Sequence, residues 1–367
     1  MIGFLEQFNK QEVSGWVKDS GSTDSVRLIF NGQLEYIVEA VIERPDLHDE
    51  VKGFIFTLPP ELSSTYPLRL ECYSRLGEEL TNSPRTIETR DSEISKVLLG
   101  TDSWLFLIND SNHSLEYLTG REELSQSILS RWCELIRLRL EQMASLSIPF
   151  VQIIVAEKEV VYQNNLPAPH TISQNRPIRS IAQYFEGFHI PGFLYGPSPE
   201  EAYNSEKLLY FKGDTHFSFH GAESITRKLI MNFSLLGEPL GRPLLEKLPS
   251  YEYTISYQVG DLISKCIGTN VESIDYPLAR FKPITVCATH EPRAGRLRCI
   301  HNDQGTGRLL IFHTSSADWM APFLNDTFRD VMYVWGMEVD LSIVAWFQPD
   351  YVAAQTNERF LTHCPAY

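Results

Sequence analysis

The chain opens with strict alternation of apolar and polar positions. Val26, Leu28 and Phe30 alternate, Asn31-Gly32 follows, and Leu34, Tyr36, Val38 and Ala40 alternate again. That pattern predicts a β-hairpin, because Asn-Gly supplies the backbone that a two-residue turn requires. Leu68, Leu70 and Cys72 repeat the alternation after Pro67, and no helical period competes before about residue 88. Residues 1–88 therefore read as a small all-β, sandwich-like module. A polar stretch over 81–92, containing Pro84, reads as the linker out of it.

Beyond the linker the period changes. Thr119-Gly120-Arg121-Glu122 has the form of a capping box, and Leu124, Ile128, Leu135, Leu138 and Met143 follow at helical spacing. The run from Phe150 to Val155 is short, apolar and β-branched, which predicts a buried strand. A helix follows Gly221 with Ala222, Ile225, Leu229 and Phe233 on one face. Near the end, strands over 309–312, 331–334 and 351–354 alternate with helices over 318–328 and 339–346. Such alternation implies a parallel sheet with helices on both faces, a three-layer α/β/α domain spanning about 95–367. An irregular insertion rich in Tyr, Arg and His interrupts it over about 250–305.

Charge and composition narrow the function. A formal charge of −15 opposes binding to nucleic acid or to anionic lipid, both of which call for basic surfaces. No run approaches the ~20 apolar residues of a membrane span, and the N-terminus lacks the pattern of a signal peptide. These features predict a cytoplasmic protein, peripheral at most to the inner membrane, or a periplasmic one if a leader has been removed. The six cysteines show no CxxC spacing and read as reduced thiols.

The candidate chemistry lies in three loops. Lys212-Gly213-Asp214-Thr215-His216-Phe217 precedes one predicted helix, His313-Thr314-Ser315-Ser316 joins a strand to another, and Ala156-Glu157-Lys158 follows the 150–155 strand. A serine hydroxyl becomes a nucleophile only when a base takes its proton. His216 is a candidate base, and Asp214, two residues away, a candidate to fix its tautomer. The plainer readings are a polar surface turn for Asp-x-His, an N-cap for Thr-Ser-Ser and a solvated loop lysine for Lys158. A metal reading takes Asp214, His216 and His220 as ligands.

These blocks, in their order, resemble the SGNH-hydrolase-like domain of the alginate O-acetylation proteins and related bacterial polysaccharide O-acetyltransferases. The resemblance runs through Gly100-Thr-Asp-Ser-Trp-Leu-Phe106, Glu157-Lys158 with Tyr162 and Pro167, and Phe211-Lys-Gly-Asp-Thr-His-Phe217 with Gly221. It continues through Gly260-Asp-Leu262, Leu309-Leu-Ile-Phe-His-Thr-Ser315 with Phe323, Leu324 and Phe328, Pro349-Asp350 and Asn357-Glu-Arg-Phe-Leu361. It implies a catalytic triad of Ser315, His216 and Asp214, with glycine usual where His313 stands. Ser316 is the alternative nucleophile, and Lys158, Thr314 and Arg359 are candidate substrate-binding residues. The implied activity is O-acetylation of a bacterial surface polysaccharide or its precursor through an acetyl-enzyme. Acetyl-CoA or another donor would serve as co-substrate, with no bound cofactor and no metal. A carbohydrate acetylesterase, or an inactive glycan-binding scaffold, are the alternatives. The first module more faintly resembles β-sandwich domains attached to bacterial surface-glycan glycosyltransferases, through Gly15-Trp16-Val17, Arg44-Pro-Asp-Leu47 and Gly53-Phe54 with Phe56. That implies a contact with glycan or with polysaccharide-biosynthesis proteins; the plainer reading makes Trp16 and Phe54 core.

Overall fold

A computed structural model of the chain describes residues 3–9, 12–18, 25–43, 51–63, 65, 67–87, 96–187, 189–236, 244, 250–258, 260–263, 272–278, 284–289 and 297–365. The chain divides into two compact units, Met1–Ser95 and Lys96–Tyr367.

The first unit holds two four-stranded antiparallel sheets. One orders Gly3–Phe8, Glu12–Lys18, Val51–Thr57 and Ile42–Glu43; the other orders Leu34–Glu39, Ser25–Phe30, Leu68–Ser74 and Arg85–Ile87. Leu5, Val13 and Phe54 of the first sheet share one core with Leu28, Phe30 and Leu70 of the second, so the inward-facing half of each alternation is what holds the sheets together. The predicted hairpin forms between Ser25–Phe30 and Leu34–Glu39, with a three-residue loop rather than two because Phe30 pairs with Leu34, and with Asn31 (φ 50) and Gly32 (φ 67) both left-handed. Trp16 and Phe54 are buried. The linker expectation fails for its first half. Thr81 N bonds Gly3 O, and Arg85–Ile87 pairs with Leu68–Ser74. Polar side chains misled there because an edge strand wets half of them. Residues 88–92 and the Arg44–Leu47 block lie outside the described residues.

The second unit is α/β, built on an eight-stranded mixed sheet. Its order is His189–Ile190, Phe193–Gly196, Phe150–Val155, Tyr351–Asn357, Arg308–His313, Asp330–Trp335, Leu297–His301 and Ile284–Thr289. The five strands from Phe193–Gly196 to Asp330–Trp335 are parallel, and antiparallel strands extend both edges. Side chains of Arg308–His313 divide between the two faces. Leu309 and Ile311 join the larger core with Ile225 and Leu229 of the Phe219–Leu236 helix and Met320 of the Ser316–Thr327 helix. Leu310 and Phe312 join a second core with Val344 and Phe347 of Leu341–Phe347. Burial on both faces is why these strands read as unbroken apolar runs.

Three expectations change. Thr119 closes the Ser114–Thr119 helix, with Gly120 as its left-handed C-cap, and the long helix Gln126–Ser145 starts later, capped by Ser125. A Thr-Gly pair satisfies a stop as well as a start, and glycine at φ 73 decides for the stop. The 250–305 stretch is more regular than predicted. Tyr253–Gln258 pairs with Glu272–Pro277 as a hairpin, and Ile284–Thr289 and Leu297–His301 extend the main sheet. Finally, Cys299 is disulfide-bonded, while Cys72, Cys133 and Cys364 are free. Cys287 lies directly across from Cys299 in strand register, a proximity that sequence spacing does not reveal.

Candidate active site

The parallel strands deliver their following loops to one edge of the sheet, where an open α/β fold places its site. Arg308–His313 runs through Thr314 and Ser315 into the Ser316–Thr327 helix. A serine in front of a helix ordinarily turns its hydroxyl onto the orphan N–H groups. Ser315 does not: its side chain makes no capping bond, and its Oγ lies 2.9 Å from His216 Nε2. Ser316, next to it, is 1% exposed and donates to Asn357 Oδ1 at 2.9 Å, so its hydroxyl is withdrawn into the core. His313 ends the strand in pairing with Trp335, its ring between Tyr333 and Trp335. Its backbone is not left-handed, so the position does not require glycine.

His216 closes the other half of the contact. Its Nδ1 lies 2.7 Å from Asp214 Oδ1, which also accepts the His216 main-chain N–H at 2.9 Å. A carboxylate only accepts, so this bond puts the proton on Nδ1 and leaves Nε2 to accept from Ser315. The second oxygen, Asp214 Oδ2, accepts Asp261 N at 2.9 Å. Burial works to raise the Asp214 carboxyl. The hydrogen bonds and charge of His216, with the Asp261 N–H, outweigh it and hold the group at about 2. Asp214 therefore stays an anion in a site where it is 4% exposed.

The turn carrying Asp214 and His216 is clamped from several sides. Lys158, 1% exposed, directs Nζ at the carbonyls of Phe211 (3.3 Å), Lys212 (3.1 Å) and Asp214 (2.6 Å). All three ammonium protons are thereby used. Burial, opposed by the charges of Glu159, Asp214 and other carboxylates, brings its pKa down to about 8. The Glu272 carboxylate accepts Lys212 N at 3.0 Å and Gly213 N at 3.1 Å. Asp261 accepts Thr215 N at 2.7 Å and Thr215 Oγ1 at 2.8 Å. Gly260 makes this approach possible, since a Cβ there would stand 2.0 Å from Gly213 O. Leu105 N donates to Lys212 O, and Trp104 stacks on Tyr162 with centroids 3.9 Å apart. The separated sequence blocks thus meet around one turn.

Behind Ser315, Gln355 and Asn357 at the end of Tyr351–Asn357 fix the loop. Thr314 N donates to Gln355 Oε1 at 3.0 Å, and Thr314 Oγ1 lies 3.1 Å from Asn357 Oδ1. Gln355 Nε2 donates to the same Asn357 oxygen at 3.0 Å. Deeper still, Arg359 donates both its main-chain N–H (3.0 Å) and Nε (3.1 Å) to Glu157 Oε1. Glu358 accepts Arg176 Nε at 3.0 Å and Tyr195 OH at 2.6 Å.

The three candidate substrate-binding residues all engage other parts of the chain. Lys158 is not a solvated loop lysine: it is buried and holds main-chain carbonyls. Arg359 pairs with Glu157, and the Thr314 hydroxyl bonds Gln355 and Asn357. The site brings Asp214, His216 and Ser315 together and places Lys158, Thr314 and Arg359 as their supports. The metal grouping fails at His220, whose Nε2 lies 3.1 Å from Asp275 Oδ2. Asp214, His216 and Asp261 do cluster. Their donor atoms are committed to one another and to Thr215, however, and Ser315 occupies the free ring nitrogen. Sequence reading left Glu272 and Gln355 unassigned, since the loop groups they hold lie 60 and 41 positions away; only the Gly260-Asp261 pair carried a local signal.

No protein-family model matches the sequence, and comparison with curated proteins yields no match. Among solved structures, the chain is similar to Bacillus cereus PatB1, with TM-score 0.46 and 13% identity, covering 73% of this chain and 97% of that one. A DHHW family protein from Eubacterium siraeum gives 0.46 and 12%, covering 80% and 92%. The O-acetyltransferase domain of Pseudomonas putida AlgJ gives 0.43 and 17%, covering 72% and 92%. At such identities and scores no residue role passes from those proteins to this chain.

Proposed function

We propose that this protein is a serine O-acyltransferase that moves an acetyl group onto a saccharide hydroxyl. The observation that carries the reading is the continuous relay Asp214–His216–Ser315, with contacts of 2.7 and 2.9 Å, and a serine that forgoes its capping role. Ser315 Oγ attacks the donor carbonyl while His216 Nε2 takes its proton. The tetrahedral oxyanion collects at the unpaired N–H groups of the helix start, for which Ser315 and Ser316 N are the candidates. Collapse expels the donor's leaving group, which receives the proton from His216 and leaves acetyl-Ser315. A saccharide hydroxyl then gives its proton to His216, attacks the acetyl carbon and departs as the ester, restoring Ser315. Asp214 steadies the imidazolium in both halves. The saccharide acceptor comes from the resemblance of the sequence blocks to polysaccharide O-acetyltransferases. Acetyl-CoA or another activated acetyl ester is the donor this scheme calls for.

Hydrolysis of p-nitrophenyl acetate tests the relay, with water as the default acceptor. The wild-type protein is expected to release p-nitrophenol and to accumulate one acetyl group on the Ser315 peptide under brief exposure. Release that persists in both Ser315→Ala and His216→Ala, with fold retained by circular dichroism, would sink the reading.

A further inference from the structure

His216 has a neighbour that the triad does not use. Trp319 lies four residues after Ser315 on the same helix, one turn along the same face. Its ring centroid stands 5.6 Å from that of His216. Trp319 packs on Phe219 at 5.2 Å, and Phe219 packs on Tyr276 at 4.7 Å. Phe219 is 5% exposed and serves as the buried middle of this row, whereas Tyr276 is 43% exposed and Trp319 half-buried. Tyr276 sits on Glu272–Pro277, two residues from the buried Ile274 and four from the carboxylate that clamps Lys212 and Gly213. An open ring at that point adds little to the core, and the relay chemistry does not call for it.

We propose that Trp319 and Tyr276 form the acceptor subsite, a ladder on which an uncharged saccharide ring stacks with one hydroxyl directed at His216 Nε2. The proposal rests on the acyl-transfer reading above and adds the acceptor's chemistry to it. A sugar ring offers an apolar C–H face to an aromatic ring and keeps its hydroxyls for polar partners, which suits rings with one face buried and one open. Charge argues for a neutral acceptor. The chain carries −15, and Asp275 and Asp318 stand beside Tyr276 and Trp319 in sequence. Each of these aspartates is paired, Asp275 with Lys207 at 2.8 Å and Asp318 with Arg298 at 3.3 Å. A polyanionic acceptor would find no uncommitted cation in these pairs, whereas a neutral one needs none.

Calorimetric titration of the full chain carrying Ser315→Ala, which cannot turn over, tests the ladder with cellopentaose as the neutral probe and trigalacturonate as the acidic one. Cellopentaose is expected to bind, and Tyr276→Ala in the same background to raise its Kd about five- to tenfold, the scale of one aromatic contact. Tyr276→Phe, which keeps the ring, is expected to restore binding, and Trp319→Phe to weaken it less than Trp319→Ala. An unchanged Kd in Tyr276→Ala, no binding of cellopentaose, or tighter binding of trigalacturonate would each overturn the proposal. Because the titration uses no chemistry, it separates from the acyl-enzyme reading. Loss of p-nitrophenyl acetate hydrolysis in the wild type strikes that reading, and the titration strikes only the ladder.

Discussion

Ser315 and Ser316 carry the same side chain in opposite surroundings, and the difference is directly measurable. Ser316 Oγ is spent on Asn357, while among the described residues Ser315 Oγ contacts His216 Nε2. Ser315→Ala is expected to abolish hydrolysis of p-nitrophenyl acetate. Ser316→Ala should keep most of it and lower unfolding stability by about 1 kcal/mol, the net value of one hydrogen bond. A reversed pattern would make Ser316 the nucleophile. Asp214→Asn tests the carboxylate separately. The amide presents the wrong hydrogen-bonding partner to Nδ1, and loss of the correct tautomer costs roughly 10⁴ in kcat where such a relay operates. Stability should follow with a definite sign. Asp214 is held at about 2 against an ordinary 3.8, so its contribution is present above 3.8 and is lost as pH falls through 2. The shift corresponds to about 2 kcal/mol. Urea unfolding should show that gap between wild type and Asp214→Asn at pH 7 and a closing gap between pH 4 and 2. A gap unchanged at pH 2 would mean that the carboxylate's charge is not what stabilises the turn.

At the scale of elements, the site depends on main-chain approach as much as on side chains. Gly260 N-terminal to Asp261 lets one turn press on another, and Leu262 N and Ile263 N both donate to Gly213 O at 3.1 Å. Gly260→Ala forces those turns apart and pulls Asp261 from Thr215. The expected result is a loss of kcat of about 10²-fold, the penalty for an ångström-scale misplacement. KM for p-nitrophenyl acetate should barely move, and the melting temperature should fall only modestly. Equal activity in the variant would show that the 260–263 turn is packing alone. The same logic explains what the sequence made legible. Strands buried on both faces announced themselves as apolar runs, and Phe150–Val155 appears with the bounds its pattern predicts. Tyr351–Asn357 is longer than its apolar stretch because Gln355 and Asn357 at its end bond the Thr314 loop. Asp214, His216 and Ser315 were legible because each lay in a compact block. Ile284–Thr289 was hidden, since an edge strand with Ile284 and Val286 in solvent carries no burial signature. Lys158 was misread for the converse reason: a lone lysine gives no sign that three carbonyls converge on it.

Across the whole molecule, the hydrophobic cores divide between the two units. Leu5 through Ile87 supply one core, while the cores of the second unit draw only on residues from Val97 onward. Every group of the relay and its clamps, from Trp104 to Arg359, belongs to that second unit. Among the described residues no helix is long and apolar enough to cross a membrane. Each unit has the core of an independently folding domain. A chain of residues 96–367 is therefore expected to fold alone and to hydrolyse p-nitrophenyl acetate at about the full-length rate, within the factor of two that an intact relay allows. The full chain should then show two unfolding transitions by calorimetry, one of them matching that of the shortened chain. If 96–367 folds but loses activity, the first unit must contribute to the relay's geometry, and the catalytic assembly would have to be assigned to both units together. If it fails to fold, the partition of cores does not amount to a partition of stability. Retained activity would instead leave residues 1–95 free for a role in recognition, and cellopentaose binding by the shortened chain would show whether the acceptor subsite is complete without them.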